Sequence, residues 1–376
     1  MALKDIFCQD RAIGILQRAL AAERSAHAYI FAGLEGVGKY TTAQQWAKLL
    51  LCENPVEVGT AAEPFADSCG ACAACALFEA DSHPDFVHVY KELREFTRDG
   101  KGKAAPVDLP IDVVREFLLE KASIRPMHSA RKVFVVSEAE KLNASSQNAL
   151  LKVLEEPPAF CTIILLCTRI ERLLPTTKSR CQTIRFGPID EDRIVQALTE
   201  MGLKREPAQF FARLAQGSLG QACQWARLEC EGTALFETKR KVVASLARLT
   251  LADALELAEQ ILGQAKDVAT NWFNLDRTVS KTDLSRRAQK TLIQVILSAF
   301  HDAMLVNVHP EHVLIHADQS REIARLASRL DPENAAEKIR ESYEALSWID
   351  ANVNDKLIFE RLLLRLVPSA IITPER

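Results

Sequence analysis

Apolar positions follow two regimes along the chain. Up to about Phe186, short apolar runs alternate with stretches of helical period. The runs are Ala28 to Ala32, Val87 to Tyr90, Lys132 to Val136, Thr162 to Cys167 and Thr183 to Phe186. Nearly continuous apolar strands separated by helices predict a parallel sheet covered on both faces. Ligands of such open α/β domains sit beyond the carboxyl ends of the strands. After Gly187-Pro188 the strands stop. Glu191 to Met201 and Pro207 to Leu214 read as helices, and Gly217-Ser218 opens another through Arg227. From about Ala234 to Leu366 the period is almost wholly helical, with breaks near Pro310 and Pro332. The polar segment 94–110 reads as a loop, and the tail from Pro368 lacks helical period.

The predicted organisation is an α/β domain over 1–187, a small helical domain over 188–232 and an all-α domain over 233–376. The chain has 376 residues, 48% apolar and 26% charged, which suits two or three globular domains. The net charge of −3 carries no global basic signature, so any nucleic-acid contact needs a local patch. Uninterrupted apolar runs such as Ile163 to Cys167 are too short to span a bilayer. The opening MALKDIFCQD has no apolar signal core, so a cytoplasmic protein is expected. In a reducing compartment ten cysteines argue against a disulfide framework.

The first strand runs straight into Gly33-Leu34-Glu35-Gly36-Val37-Gly38-Lys39-Tyr40-Thr41, and a helix follows. In a phosphate loop, glycines let backbone N–H groups curl around phosphates, a lysine meets the terminal phosphates, and a Ser or Thr hydroxyl ligates Mg²⁺. Gly33, Gly36, Gly38 and Lys39 fit that frame. Tyr40 holds the Mg²⁺ position with its hydroxyl too far out, and Thr41 comes one residue late. The bland alternative is a glycine turn capping a helix, with Lys39 solvated. The third strand ends Val136-Ser137-Glu138, with Ser137 where a metal-holding Asp belongs and Glu138 where a water-activating Glu belongs. A neutral serine does not replace that carboxylate. Charge at a helix N-terminus is the ordinary reading of Glu138 and Glu140.

Cys52, Cys69, Cys72 and Cys75 form C-x16-C-x2-C-x2-C. Four thiolates suit a closed tetrahedral Zn²⁺ site of structural kind. An iron–sulfur cluster takes the same number of cysteines. The other cysteines lack ligand spacing and read as small core side chains.

Three stretches together carry a resemblance. Asn148 to Pro158 (NALLKVLEEPP), Ser179-Arg180-Cys181, and the cysteine knuckle between the loop helix and the second strand resemble the AAA+ clamp-loader subunits of bacterial DNA polymerase III. Phe7-Cys8-Gln9-Asp10 and Ser25 to Tyr29 are similar too. The likeness covers about the first 230 residues well. It implies an AAA+ P-loop-type domain with a zinc module at about 52–75, a helical lid and a C-terminal helical collar for oligomerisation. It implies gamma/tau and delta subunits, a sliding clamp and primed DNA as partners, within a nucleotidyltransferase assembly. In that family the Ser-Arg-Cys arginine faces a neighbour's ATP, which makes Arg180 a finger acting in trans, and Thr168 fits the first-sensor position. Motor members carry Thr, Asp-Glu and a second-sensor arginine where this chain has Tyr40, Ser137 and Gly220. These departures imply the branch without turnover of its own, with ATP binding left open by Lys39. The alternatives are a gamma/tau-like motor ATPase that tolerates the changes, and a zinc-containing AAA+ scaffold outside replication. Apart from the resemblance, Arg180 reads as a surface arginine or one partner of a salt bridge, and Lys152 as a solvated lysine or a DNA-phosphate contact.

Overall fold

The computed structural model of the chain describes residues 2–59, 65–98, 108–277 and 279–368. Two compact units emerge: Met1–Asp190 with Gly217–Gly220, and Glu191–Gln216 with Gln221–Arg376. The second unit therefore holds most of the expected lid together with the expected collar.

The first unit contains β1 (Ala28–Ala32), β2 (Val56–Glu57), β3 (Ala66–Asp67), β4 (Phe86–Val89), β5 (Lys132–Val136), β6 (Cys161–Cys167) and β7 (Gln182–Arg185). Five of these form one parallel sheet in the order β4-β5-β6-β1-β7. Strand β6 lies between the loop strand β1 and β5. Ile30 pairs with Leu165 on one side and Thr183 on the other. The strand ends in β4, β6 and β7 differ by one residue from the apolar runs, an ordinary uncertainty of boundaries.

Alternation along the strands sends side chains to two cores. Ile30, Phe134, Val136, Ile163 and Leu165 face Leu150 and Leu154. Tyr29, Phe31, Val133, Val135, Ile164 and Leu166 face Leu16 and Trp46 on the other side. Burial on both faces is why the strands read as apolar runs rather than alternating ones. Truncating a fully buried side chain such as Trp46 or Phe134 would cost about 3–5 kcal/mol.

The helix after the loop spans Lys39–Leu51, and Gly38 caps it in a left-handed conformation. Part of the expected loop 94–110 is ordered structure: Lys91–Phe96 is a 3-10 helix, and Leu109 bridges to Leu142. Its stretch 99–107 lies outside the described residues, as does the tail from 369.

The second unit is helical throughout its described residues. The long helix Lys281–Val308 packs against Ala254–Leu275 and Pro332–Asp350. Within Lys281–Val308 an 18-residue window has a mean hydropathy of 1.5, enough by length and composition to cross a membrane. Polar residues break its apolar runs, so the uninterrupted runs of the sequence do not reveal it. Its apolar side chains serve the core: Leu284, Leu292, Ile293, Ile296 and Phe300 are buried. Lys239 pairs with Asp318 inside this unit, both buried, and its ammonium lies 4.5 Å from the Phe210 ring centre.

Candidate functional site

The loop leaves β1 at Gly33, where any Cβ would come within 2.6 Å of the Phe186 carbonyl oxygen. Only glycine fits this close backbone approach. Gly36 and Gly38 have φ of 74° and 96°. Lys39 follows as the first residue of the helix. Its ammonium does not project outward. It donates to the carbonyls of Gly33 at 2.7 Å and Leu34 at 2.5 Å, and the residue is only 8% exposed. Burial lowers its pKa, while the charges of Glu140 and Glu35 act to raise it. Thr41 is half-buried on the first helical turn, and Thr42 donates to the Gly38 carbonyl at 2.9 Å.

At the two positions where metal ligands are expected, a third side chain intervenes. Tyr40 Oη lies 3.3 Å from His88 Nδ1, and His88 Nε2 lies 2.8 Å from Ser137 Oγ. Gln44 donates to the same phenol oxygen at 3.1 Å. The Tyr40 and His88 rings are 4.7 Å apart, and His88 also rests on Tyr90 at 4.8 Å. Burial pushes the His88 pKa down to about 4 and that of Tyr40 up to about 12, so both are neutral near pH 7. With Gln44 donating to Tyr40, the phenol proton is available to Nδ1, which leaves Nε2–H to donate to Ser137. A neutral chain Gln44–Tyr40–His88–Ser137 thus joins the loop helix, β4 and the end of β5. These groups do not suit Mg²⁺, which takes carboxylate or hydroxyl oxygens left free for it. His88 escaped the sequence reading, because a histidine in a strand of four residues gives no signal of its partners.

The acidic residues after β5 are divided. Glu138 has φ of 51° and pairs with Lys141 and, at 3.7 Å, with Lys91. Glu140 takes the position next to β6: Thr168 donates to its carboxylate from both N–H, at 3.3 Å, and the hydroxyl. Glu140 is thus the carboxylate beside the expected sensor threonine, and Glu138 turns to lysines instead. Residues 217–220 close over the loop within the same unit. Ser218 Oγ donates to the Glu35 carbonyl at 2.7 Å, and Gly220 N–H donates to the Gly36 carbonyl at 2.8 Å. A Cβ on Gly220 would stand 2.8 Å from the Gly36 Cα, so no side chain fits there.

Arg180 sits between the short helix Pro175–Lys178 and β7. Its Nη2 lies 2.8 Å from Glu155 Oε1, and Nη1 donates to the Thr176 carbonyl at 3.0 Å. The Arg180 side chain is 34% exposed.

The four knuckle cysteines converge. Cys52 caps the loop helix, Cys72 caps the helix Ala73–Glu79, and β2 pairs with β3 beside them. Their sulfurs lie 3.5 to 4.0 Å apart in the Cys52–Cys69, Cys52–Cys72, Cys52–Cys75 and Cys69–Cys75 pairs. A tetrahedral ion with metal–sulfur bonds of about 2.3 Å needs sulfurs roughly 3.8 Å apart. Backbone N–H groups of Cys69, Cys72 and Cys75 point at preceding sulfurs at 3.3 to 3.4 Å, which favours thiolates. The cluster fits one metal ion.

The chain matches two family models, "DNA polymerase III, delta subunit" over residues 8–190 and "DNA polymerase III, delta subunit, C terminal" over residues 270–367. It is 26% identical to DNA polymerase III subunit delta' of Bacillus subtilis, over 95% of this chain and 96% of that protein. Identity to the delta' subunit of Pseudomonas aeruginosa is 33%, over 66% of each. The Bacillus subtilis tau subunit is 28% identical over 71% of this chain but only 47% of its own length. The chain belongs to the delta-prime family of DNA polymerase III clamp-loader subunits, with tau and gamma as its relatives.

Proposed function

We propose that this subunit works in the clamp loader without turning over ATP itself, and completes a neighbour's ATP site with Arg180. The observation that carries the first half is the Tyr40–His88–Ser137 chain. It occupies both magnesium positions with neutral groups bonded to one another. The second-sensor position is a glycine pressed against Gly36, while Lys39 leaves ATP binding open. Each change removes a charge or an open ligand that phosphoryl transfer needs. What supports the second half is Arg180, a partly exposed arginine in the Ser-Arg-Cys motif. An arginine supplied in trans stabilises charge on transferring phosphate and is worth about 10³–10⁵ in rate in related hydrolases.

In this reading the four-cysteine site holds structural Zn²⁺, which supplies a cross-link and no chemistry. The lid (188–232) serves the AAA+ domain, and the collar (233–376) makes the ring contacts. The partners are the gamma/tau and delta subunits, a sliding clamp and primed DNA. The decisive experiment measures ATPase of the isolated chain and of the reconstituted clamp loader, with and without Arg180→Ala. The isolated chain should be silent, and the variant should cripple the assembly without disturbing its formation. DNA-stimulated turnover by the isolated chain would instead make it a motor. An unchanged assembly rate in Arg180→Ala would remove the finger role.

A further inference from the structure

The segment Leu150 to Pro158 has so far only a structural part. Its helix, Ala144–Glu155, ends on Glu155, and Pro157 and Pro158 prevent it from continuing. Glu155 therefore stands on the last helical turn, with its carboxylate toward the loop that carries Arg180. The contact is specific: Glu155 Oε1 meets Arg180 Nη2 at 2.8 Å. On the other terminal nitrogen, Nη1 donates to the Thr176 carbonyl at 3.0 Å and approaches Ser179 Oγ at 3.4 Å. Two separate elements thus grip the two ends of the guanidinium fork.

Such a grip contributes little to folding. Glu155 is 50% exposed and Arg180 34%, so solvent screens the pair. Its consequence is directional. A free arginine samples many rotamers, and ordering it costs entropy at the moment of use. A planar guanidinium recognises phosphate through defined N–H directions, so a small angular error costs rate. Held at both ends, the side chain is aimed before any neighbour arrives.

We propose that Glu155 is a positioning residue for Arg180, aiming the guanidinium that this subunit presents to a neighbouring subunit's ATP. The inference rests on the trans-arginine reading above. Glu155 touches no nucleotide in this account and acts only through Arg180.

The test uses the complete reconstituted clamp loader with sliding clamp and primed DNA. Steady-state ATPase is measured across ATP concentrations for wild type, Glu155→Ala, Glu155→Gln, Arg180→Ala and the double alanine variant. Melting and assembly are followed in parallel, and a half-exposed residue at a helix end should leave both unchanged. Glu155→Ala should lower kcat about tenfold with KM for ATP unchanged, since orientation matters most in the transition state. Glu155→Gln keeps an oxygen that accepts from Nη2, and should stay within about threefold of wild type. In the Arg180→Ala background, removing Glu155 should change nothing further, because the two act as one unit. A wild-type or faster rate in Glu155→Ala, with Arg180→Ala slow, overturns the positioning role and leaves the finger standing. A further loss in the double variant overturns it as well, by placing Glu155 in some other contact. A wild-type rate in Arg180→Ala removes the finger and the positioning role together.

Discussion

His88 Nε2 lies 2.8 Å from Ser137 Oγ, and through that contact one imidazole spans the gap between the two positions where a phosphate-loop ATPase keeps its magnesium ligands. Loss of a metal ligand usually leaves an open polar hole. Here Tyr40, His88 and Ser137 form a donor–acceptor chain, with the tilted rings of Tyr40 and Tyr90 packed against His88. A buried polar network is stable when its members are satisfied. The proposed loss of Mg²⁺ chemistry therefore leaves the polar groups of this site satisfied.

The same burial makes stability depend on acid. His88 has a folded pKa of about 4, and His316, deep in the helical unit, has the same value for the same reason. A free histidine titrates near about 6.5. The unfolded chain thus takes up protons that the folded chain refuses. Stability is complete above the free value and falls as pH drops from there toward the folded value. By pH 5 each histidine should cost about 2 kcal/mol. Urea denaturation at pH 7.5 and pH 5 measures the loss, and His88→Asn should reduce it. An identical pH dependence in that variant would mean the imidazole is not held neutral.

Lys39 separates the non-turnover reading from the motor reading. Its ammonium serves the carbonyls of Gly33 and Leu34. Lys39→Ala leaves them without that donor and should cost about 1–3 kcal/mol of stability. The assembly's ATPase should remain within about twofold of wild type, since this lysine meets no phosphate that turns over. A motor would lose activity by orders of magnitude.

Gly220 tests whether the missing second-sensor arginine can be put back. Its backbone lies so close to Gly36 that a new Cβ meets the loop's Cα at 2.8 Å. Backbone on both sides cannot yield cheaply. Gly220→Arg should destabilise the protein by about 1–3 kcal/mol and confer no ATPase. A variant as stable as wild type, by melting, would show that residues 217–220 separate freely from the loop.

The sheet was legible because burial on both faces writes itself as apolar runs, as in Ile163 to Cys167. The phosphate-loop glycines and the cysteine knuckle were legible because their chemistry fixes a spacing. Strands β2 and β3 were not, since two residues each carry no period. Neither was the placement of Glu140, rather than Glu138, beside Thr168, which goes with a single left-handed residue after β5. His88 with Ser137, and Glu155 with Arg180, are joined only by tertiary folding, and neither partner's local sequence specifies the other.

The knuckle reaches beyond its own loop, which sets what metal removal should do. Asp67, in β3, accepts the Leu3 N–H at 3.0 Å, and Gln17 exchanges two hydrogen bonds with the Ala66 backbone at 2.8 Å each. The chain's first residues and the helix Asp10–Ala21 are thus fastened to it. Without a metal, four thiols at these distances offer one another only weak hydrogen bonds. Cys72→Ser, or chelation, should therefore release metal, expose the segment between Cys52 and Cys75 to protease and loosen the contact at Leu3. The assembly's ATPase should survive, because no ligand touches Arg180 or the loop lysine. Metal analysis of protein purified without chelator should find one zinc per chain, with no visible absorption of the kind iron–thiolate centres give. Protein that contains no metal, or a protease pattern indifferent to Cys72→Ser, would leave the four cysteines without the role their spacing suggests.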